Sequence, residues 1–237
     1  MALELLVRVI SSKLGVAISK GHLSKVAKRV GIRYRRAKPI VLCPWKKRRR
    51  TKRLKEIERL IDELPDGEIV LYVDEVDIDL NPKIGPDWCR CGVQKTVRTP
   101  GQNAKRYLAG ALNAKTGELT WVEGDKKDSD LFIDQLWTLV LDDYPNATRI
   151  HLVLDNYGIH SSKRTQIAVD ALADKIELHF LPPYCPDHNR IERIWKDLHD
   201  NVTRNHRCTT MTQLMKEVRR YLRIRKRKAQ HEYAQAM

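Results

Sequence analysis

Three acidic side chains, Asp74, Asp155 and Glu192, delivered by two strands and one helix, could converge to share hard cations. Asp74 lies in LYVDEVDI, a β-branched, apolar run that predicts a strand. Alternation puts Tyr72, Asp74, Val76 and Ile78 on one face and Val73, Glu75, Asp77 and Asp79 on the other. A carboxylate set among apolar neighbours is costly to bury unless a positive charge compensates it. The opposite acids, Glu75, Asp77 and Asp79, read more simply as a water-facing row. Asp155 ends the apolar strand 150–154 and opens DNYGIH. Strand carboxyl ends collect ligands in α/β sheets, although an Asp there also suits an Asx-turn. Glu192 follows Asn189 by three residues at a helix start, so a capping box is as open to it as metal ligation. Phosphodiester cleavage needs an activated nucleophile and charge stabilisation on two oxygens, which two divalent ions about 3.5–4 Å apart supply. Mg²⁺ prefers oxygen ligands, so carboxylates fit and Cys or His fit much less well.

The elements that must position these acids are legible as periods. Residues 3–14 suit a helix, and Ser19 caps a second that runs to Val30, with Leu23, Val26, Ala27 and Val30 on one stripe and Gly31 as the stop. Residues 39–50 read as a linker, and Leu54, Ile57, Ile61 and Leu64 mark an amphipathic helix over 51–64. Strands are expected at 69–78, 107–112, 119–122, 149–155 and 176–181, with NAKTG (113–117) turning a hairpin. Helices are expected at 128–142, at 163–174 and from about 189. This order predicts an α/β fold: a mixed sheet, three antiparallel strands then parallel ones, flanked by helices as in ribonuclease-H-like nucleases.

Charge is unevenly placed. The chain has 237 residues and a net charge of +15. Residues 1–60 hold 19 Lys/Arg and 3 Asp/Glu, while the rest is almost balanced at 26 against 27. Such asymmetry points to a polyanion-binding front. Candidate DNA contacts are Lys25, Lys28, Arg29, Arg33, Arg35 and Arg36 around the second helix, and Lys46, Lys47, Arg48, Arg49 and Arg50 in the linker. Two short helices with a basic second one suit a helix-turn-helix-like module over 1–38; a plain helical hairpin with a solvated basic face would read the same. The stretch 211–237 reads as a basic helix or tail. No apolar run approaches the length of a membrane span, and five scattered cysteines, including the single C-x-C of Cys89 and Cys91, fit free thiols in a reducing cytoplasm.

LYVDEVDI, VLDNYGIH and LPPYCPDHNRIERIWKDLH together resemble the mariner-like DDE transposases, in particular their bacterial insertion-sequence branch. Positions 156–191, 36 residues, separate the second and third acids, a spacing typical of that branch. GPDWCRCG, with Trp88, is similar to the segment that follows the first catalytic strand there. The resemblance implies that Asp74, Asp155 and Glu192 are catalytic and bind two Mg²⁺ (or Mn²⁺) ions. Asn156, His160 and Asn189 are then supporting residues that orient ligands or DNA. It further implies cleavage at terminal inverted repeats and strand transfer into target DNA at TA, by a homodimer on double-stranded DNA at the nucleoid. The catalytic domain is expected over 66–210, preceded by a basic linker and helix over 39–65. The family usually has Pro at the position of Arg190 and Ser at that of Cys185. It also carries two helical DNA-reading subdomains at the front, so a truncated or inactive DNA-binding derivative is the alternative reading, and another nuclease of this fold, such as a junction resolvase, a third.

Overall fold

The computed structural model describes residues 3–33 and 42–236. They divide into two units, 1–41 and 42–237. In the first, α1 (Leu3–Leu14) and α2 (Lys20–Arg29) form a pair of short helices. The Ser19 hydroxyl accepts the His22 N–H at 3.2 Å and starts α2 where the sequence places its cap. Glu4 and Lys20 pair between the helices. Gly31, at φ 81°, lets the chain leave α2 through the left-handed region. Leu23 is buried, while Lys25, Lys28, Arg29 and Arg33 are exposed; Arg35 and Arg36 fall outside the described residues.

The second unit opens with α3 (Lys47–Asp62). The basic run 47–50, expected as linker, is instead its first turn. Lys and Arg are good helix formers, and Arg49 lies 4.0 Å over the Trp45 ring at the helix entrance. Five strands follow: β1 (Glu68–Asp79), β2 (Lys105–Asn113), β3 (Leu119–Gly124), β4 (Arg149–Leu154) and β5 (Ile176–Phe180). Their order in the sheet is β3-β2-β1-β4-β5; β1 to β3 are antiparallel, and β4 and β5 run parallel to β1. The mixed α/β sheet of the ribonuclease-H-like expectation is present. The β2–β3 turn forms as its residues dictate: Asn113 Oδ1 accepts the N–H groups of Lys115 and Thr116, each at 2.9 Å, and Gly117 takes φ 69°.

Alternation along β1 sends each helix to a face. Val70, Tyr72, Val76 and Ile78 pack with Ile57 and Ile61 of α3, with Ile191, Ile194, Trp195 and Leu198 of α6 (Ile191–Leu198), and with Leu214, Val218 and Leu222 of α7 (Met211–Ala236). Leu71 and Val73 face Phe132 and Leu136 of α4 (Ser129–Thr138), Leu139 of the π-turn that extends it, and Ala168 of α5 (Lys163–Ala171). Each fully buried aliphatic side chain contributes about 1.5–3 kcal/mol relative to exposure. Of the stretch 211–237, read as a basic helix or tail, Met211–Ala236 form a 26-residue helix whose Leu214, Met215, Val218 and Leu222 are all buried. Its Lys and Arg residues occupy the outer faces and obscure that stripe in the sequence.

Candidate active site

The sheet brings Asp74 and Asp155 level. Tyr72 pairs with Val153 on parallel strands, so two residues further on Asp74 and Asp155 share a height and a face where β4 ends. Asp74 is half-buried and Asp155 exposed. Two devices hold α6, and with it the exposed Glu192, over Asp74. The buried Asn189 donates its Nδ2–H to the Val73 carbonyl at 3.0 Å, one residue before Asp74. Opposite Asp74 on β2 stands Gly110, where a Cβ would lie 2.5 Å from Trp195 Cη2 and Cζ2 and 3.1 Å from Ile191 Cδ1. A bare backbone there lets the helix settle onto the sheet.

The capping-box alternative for Glu192 does not form. Arg190, not Asn189, is the N-cap residue, and it makes no side-chain cap bond; the Asn189 amide N–H is turned to β1 and its Oδ1 accepts nothing. Arg190 itself donates to the Ala114 carbonyl at 3.2 Å and lies 5.3 Å over the Tyr72 ring. Asp155 does make its Asx-turn, accepting the Tyr157 N–H at 2.9 Å, so that role coexists with any other. Asn156 donates to the Leu181 carbonyl at 2.7 Å and ties the loop after β4 to the end of β5.

Electrostatics show that the acids feel one another. Burial, then repulsion by Glu192, Glu75 and Asp155, pushes the Asp74 carboxyl up to about 8, with Lys127 opposing. Glu192 is raised by burial and then by Asp155. Asp155 goes the other way: partial burial pushes it up, but the close His160 ring, the hydrogen bond from the Tyr157 N–H and the Lys127 charge bring it below its ordinary value. A cleft of about 520 Å³ opens here, lined by Asp155, Asn156, Tyr157, Cys185, Asn189 and Glu192 among others.

Glu75 overturns the water-facing row. Its side chain and that of His160 are each 1% exposed, 3.7 Å apart, and His160 Nε2 reaches Asp155 at 3.3 Å. Lys127 Nζ lies 3.5 Å from Glu75 Oε2 and 4.8 Å from the centre of the Tyr157 ring. Phe132 packs edge-on against His160, with 4.5 Å between ring centroids. Burial raises the Glu75 carboxyl, opposed by His160 and Lys127. The signal was present: Ile69, Leu71 and Val73 precede Glu75 on that same face, and a strand apolar on both faces is buried on both. Asp77 and Asp79 are half-buried, 3.6 and 2.9 Å from Lys105. Lys127 carries no sequence signal, since only the fold brings the loop before α4 beneath β1.

The expected DNA-contacting residues Lys46, Lys47, Arg48 and Arg49 are exposed and Arg50 is half-buried. All five cysteines are free thiols. Among the described residues no helix is long and apolar enough to cross a membrane.

Residues 69–215 match the family model described as DDE superfamily endonuclease. The chain is 42% identical over 219 residues to the "Insertion element IS630 uncharacterized 39 kDa protein" of Shigella sonnei, covering 92% of this chain and 63% of that protein's length. The fold is similar to that of the Mos1 transposase in its paired-end complex with the left transposon end (TM-score 0.60, 15% identity, 98% of this chain and 75% of that one). It is equally similar to the mariner Mos1 paired end complex with Mg (TM-score 0.61, 15% identity, the same coverage). The match to the family model covers all five strands but for Glu68, and the helix bearing Glu192, and on that ground the chain belongs to the DDE superfamily endonucleases.

Proposed function

We propose that the protein is an insertion-sequence transposase that cuts at terminal inverted repeats and transfers strands into target DNA at TA. Catalysis would be carried by Asp74, Asp155 and Glu192. The observation that carries this reading is the coupling of the three acids: two level on adjacent strands, the third on a helix held down over them, with Glu192 and Asp155 raising Asp74 and Asp155 raising Glu192. The IS630 and Mos1 names support the reaction class, and the transposon-end complexes of Mos1 support double-stranded DNA as substrate.

The donor set fits a divalent cation. It consists of carboxylate oxygens, which suit Mg²⁺ or Mn²⁺, and Asp74 sits among three like charges with Lys127 as its one opposing cation. Among the described residues, the one group of His, Cys, Asp or Glu ligand atoms gathered within 4.8 Å is His151, Glu177 and His179. The three acids' ligand atoms do not all lie within that distance of one another. Bound there, the cations would lower the pKa of the attacking hydroxyl or water and neutralise charge at the leaving oxygen. The chain's own residues set the geometry. Asn189 and Gly110 seat Glu192, and the Tyr157 N–H and His160 fix one oxygen of Asp155. Phosphate contacts fall to the basic front and to α3, whose Arg48, Lys52, Lys55 and Arg59 recur at helical spacing on one side. We place the working enzyme as a homodimer on paired ends, in the cytoplasm at the nucleoid.

The test is nicking of the element's own ends with Mg²⁺ by wild type, Asp74→Asn, Asp155→Asn and Glu192→Gln. Each variant is expected to lose more than about a hundredfold, the upper range for loss of an outer-shell partner alone. Equal nicking by wild type and Asp155→Asn would overturn the enzymatic reading.

A further inference from the structure

His151, Glu177 and His179 form a cluster that the transposition chemistry does not use. His151 and Glu177 are register partners on the parallel strands β4 and β5, and His179 stands two residues beyond Glu177, so all three share one face. His151 Nδ1 and His179 Nε2 point at each other across 3.0 Å. Glu177 offers Oε2 at 3.6 Å from His151 Nδ1 and Oε1 at 3.5 Å from His179 Nε2. The other nitrogen of His151, Nε2, lies 2.7 Å from Glu68 Oε2 on β1. His151 is four residues before Asp155 on its strand, about 13 Å away at strand rise.

We propose that His151 Nδ1, His179 Nε2 and a Glu177 oxygen form a second metal site, which takes one borderline divalent transition ion of the Zn²⁺ type. A carboxylate on the far nitrogen is the outer-shell arrangement that fixes the tautomer of a metal-bound histidine. With Nε2–H donated to Glu68, His151 presents a lone pair at Nδ1. Two imidazoles and one carboxylate suit Zn²⁺ or Co²⁺ and discriminate against Mg²⁺, so this site and the all-carboxylate one would sort ions by softness. The His151 side chain is buried and His179 half-buried, but the Glu177 side chain is 46% exposed, so an ion can enter from the sheet edge and keep a water as fourth ligand. Arg149 holds Glu177 Oε2 at 3.1 Å, which leaves Oε1 as the ligand oxygen. The bound ion would tie β5, the edge strand, to β4 and, through Glu68, to β1.

Full-length protein freed of metal with a chelator is titrated with Co²⁺ and with Zn²⁺, followed by visible absorption, calorimetry and thermal unfolding. One equivalent is expected to bind in excess Mg²⁺. It should raise the unfolding temperature and give tetrahedral Co²⁺ bands without the charge-transfer band of a thiolate ligand. His179→Gln and Glu177→Gln should each weaken binding at least tenfold, and Glu68→Gln by about 10–100-fold. Asp155→Asn should leave it unchanged. Circular dichroism confirms folding, and the edge variants at 177 and 179 carry the test if the buried His151→Gln fails to fold. No Co²⁺ bound at sub-millimolar concentration, binding indifferent to His179→Gln, or a thiolate band pointing to the cysteines would each overturn the site. The 3.0 Å ring contact would then be only a hydrogen bond.

Discussion

At the scale of single residues, the dominant cost in the site is the charge on Asp74. Its carboxyl in the folded chain titrates near 8 against an ordinary 3.8, from burial first and then from Glu192, Glu75 and Asp155. Between those two values the folded chain keeps a proton that the unfolded chain has lost, so stability is full at low pH and falls as pH rises through the window. Asp74→Asn is neutral throughout. In the absence of divalent metal, the wild-type unfolding temperature should drop between pH 5 and pH 8 by several degrees more than that of Asp74→Asn. A chain of this size moves by about 2–4 °C per kcal/mol. Mg²⁺ at pH 8 should narrow the gap. Parallel profiles for the two proteins would show that the charge on Asp74 is not what the fold opposes. Asp74 was legible as an acid on an apolar strand face, and Asp155 as an acid at a strand end. Glu192 needed the resemblance, because its capping alternative fell only when the helix proved to start at Arg190 with no side-chain cap. Glu75 was misread because three alternating acids look solvated until the apolar residues preceding them on the same face are counted.

At the scale of elements, the approach of α6 to the sheet sets where Glu192, the proposed third acid, stands. Gly110 faces Trp195 so closely that any Cβ displaces the ring or the helix. Gly110→Ala should cost about 1–3 kcal/mol, as overpacking does, and lower nicking far more than its stability loss explains. Adding Trp195→Leu should restore much of the thermal stability. If the single variant nicks like wild type, the helix does not depend on that bare backbone. On the surface of α3, Arg48, Lys52 and Lys55 are exposed. Replacing all three with Ala should flatten the salt dependence of DNA affinity by about 0.9 in log–log slope per lost phosphate contact, equally for any sequence. An unchanged slope would make the stripe merely solvated. Strands and hairpin followed directly from alternation and turn chemistry. The start of α3 and the buried half of α7 did not, because dense Lys and Arg mask a helical stripe when hydrophobicity is read without its period.

At the scale of the whole molecule, both clusters of core residues draw only on positions from Leu54 to Leu222. Among the described residues of the unit over 1–41 a single side chain, Leu23, is buried, with basic residues on the surface. A domain with its own core folds alone, so the fragment 42–237 should unfold cooperatively at nearly the full-length temperature. Separation of the units should also divide their labour. The fragment keeps the three acids and the α3 stripe, so it should retain Mg²⁺-dependent nicking of arbitrary duplex at high concentration. It should lose preference for the element's ends, because sequence is read by base contacts and the helical pair at the front is the module suited to make them. Competition binding against unrelated duplex measures this as a specificity ratio at fixed salt. A ratio unchanged by removing 1–41 would move end recognition onto the catalytic unit, and a fragment that fails to fold would make the front part of the core.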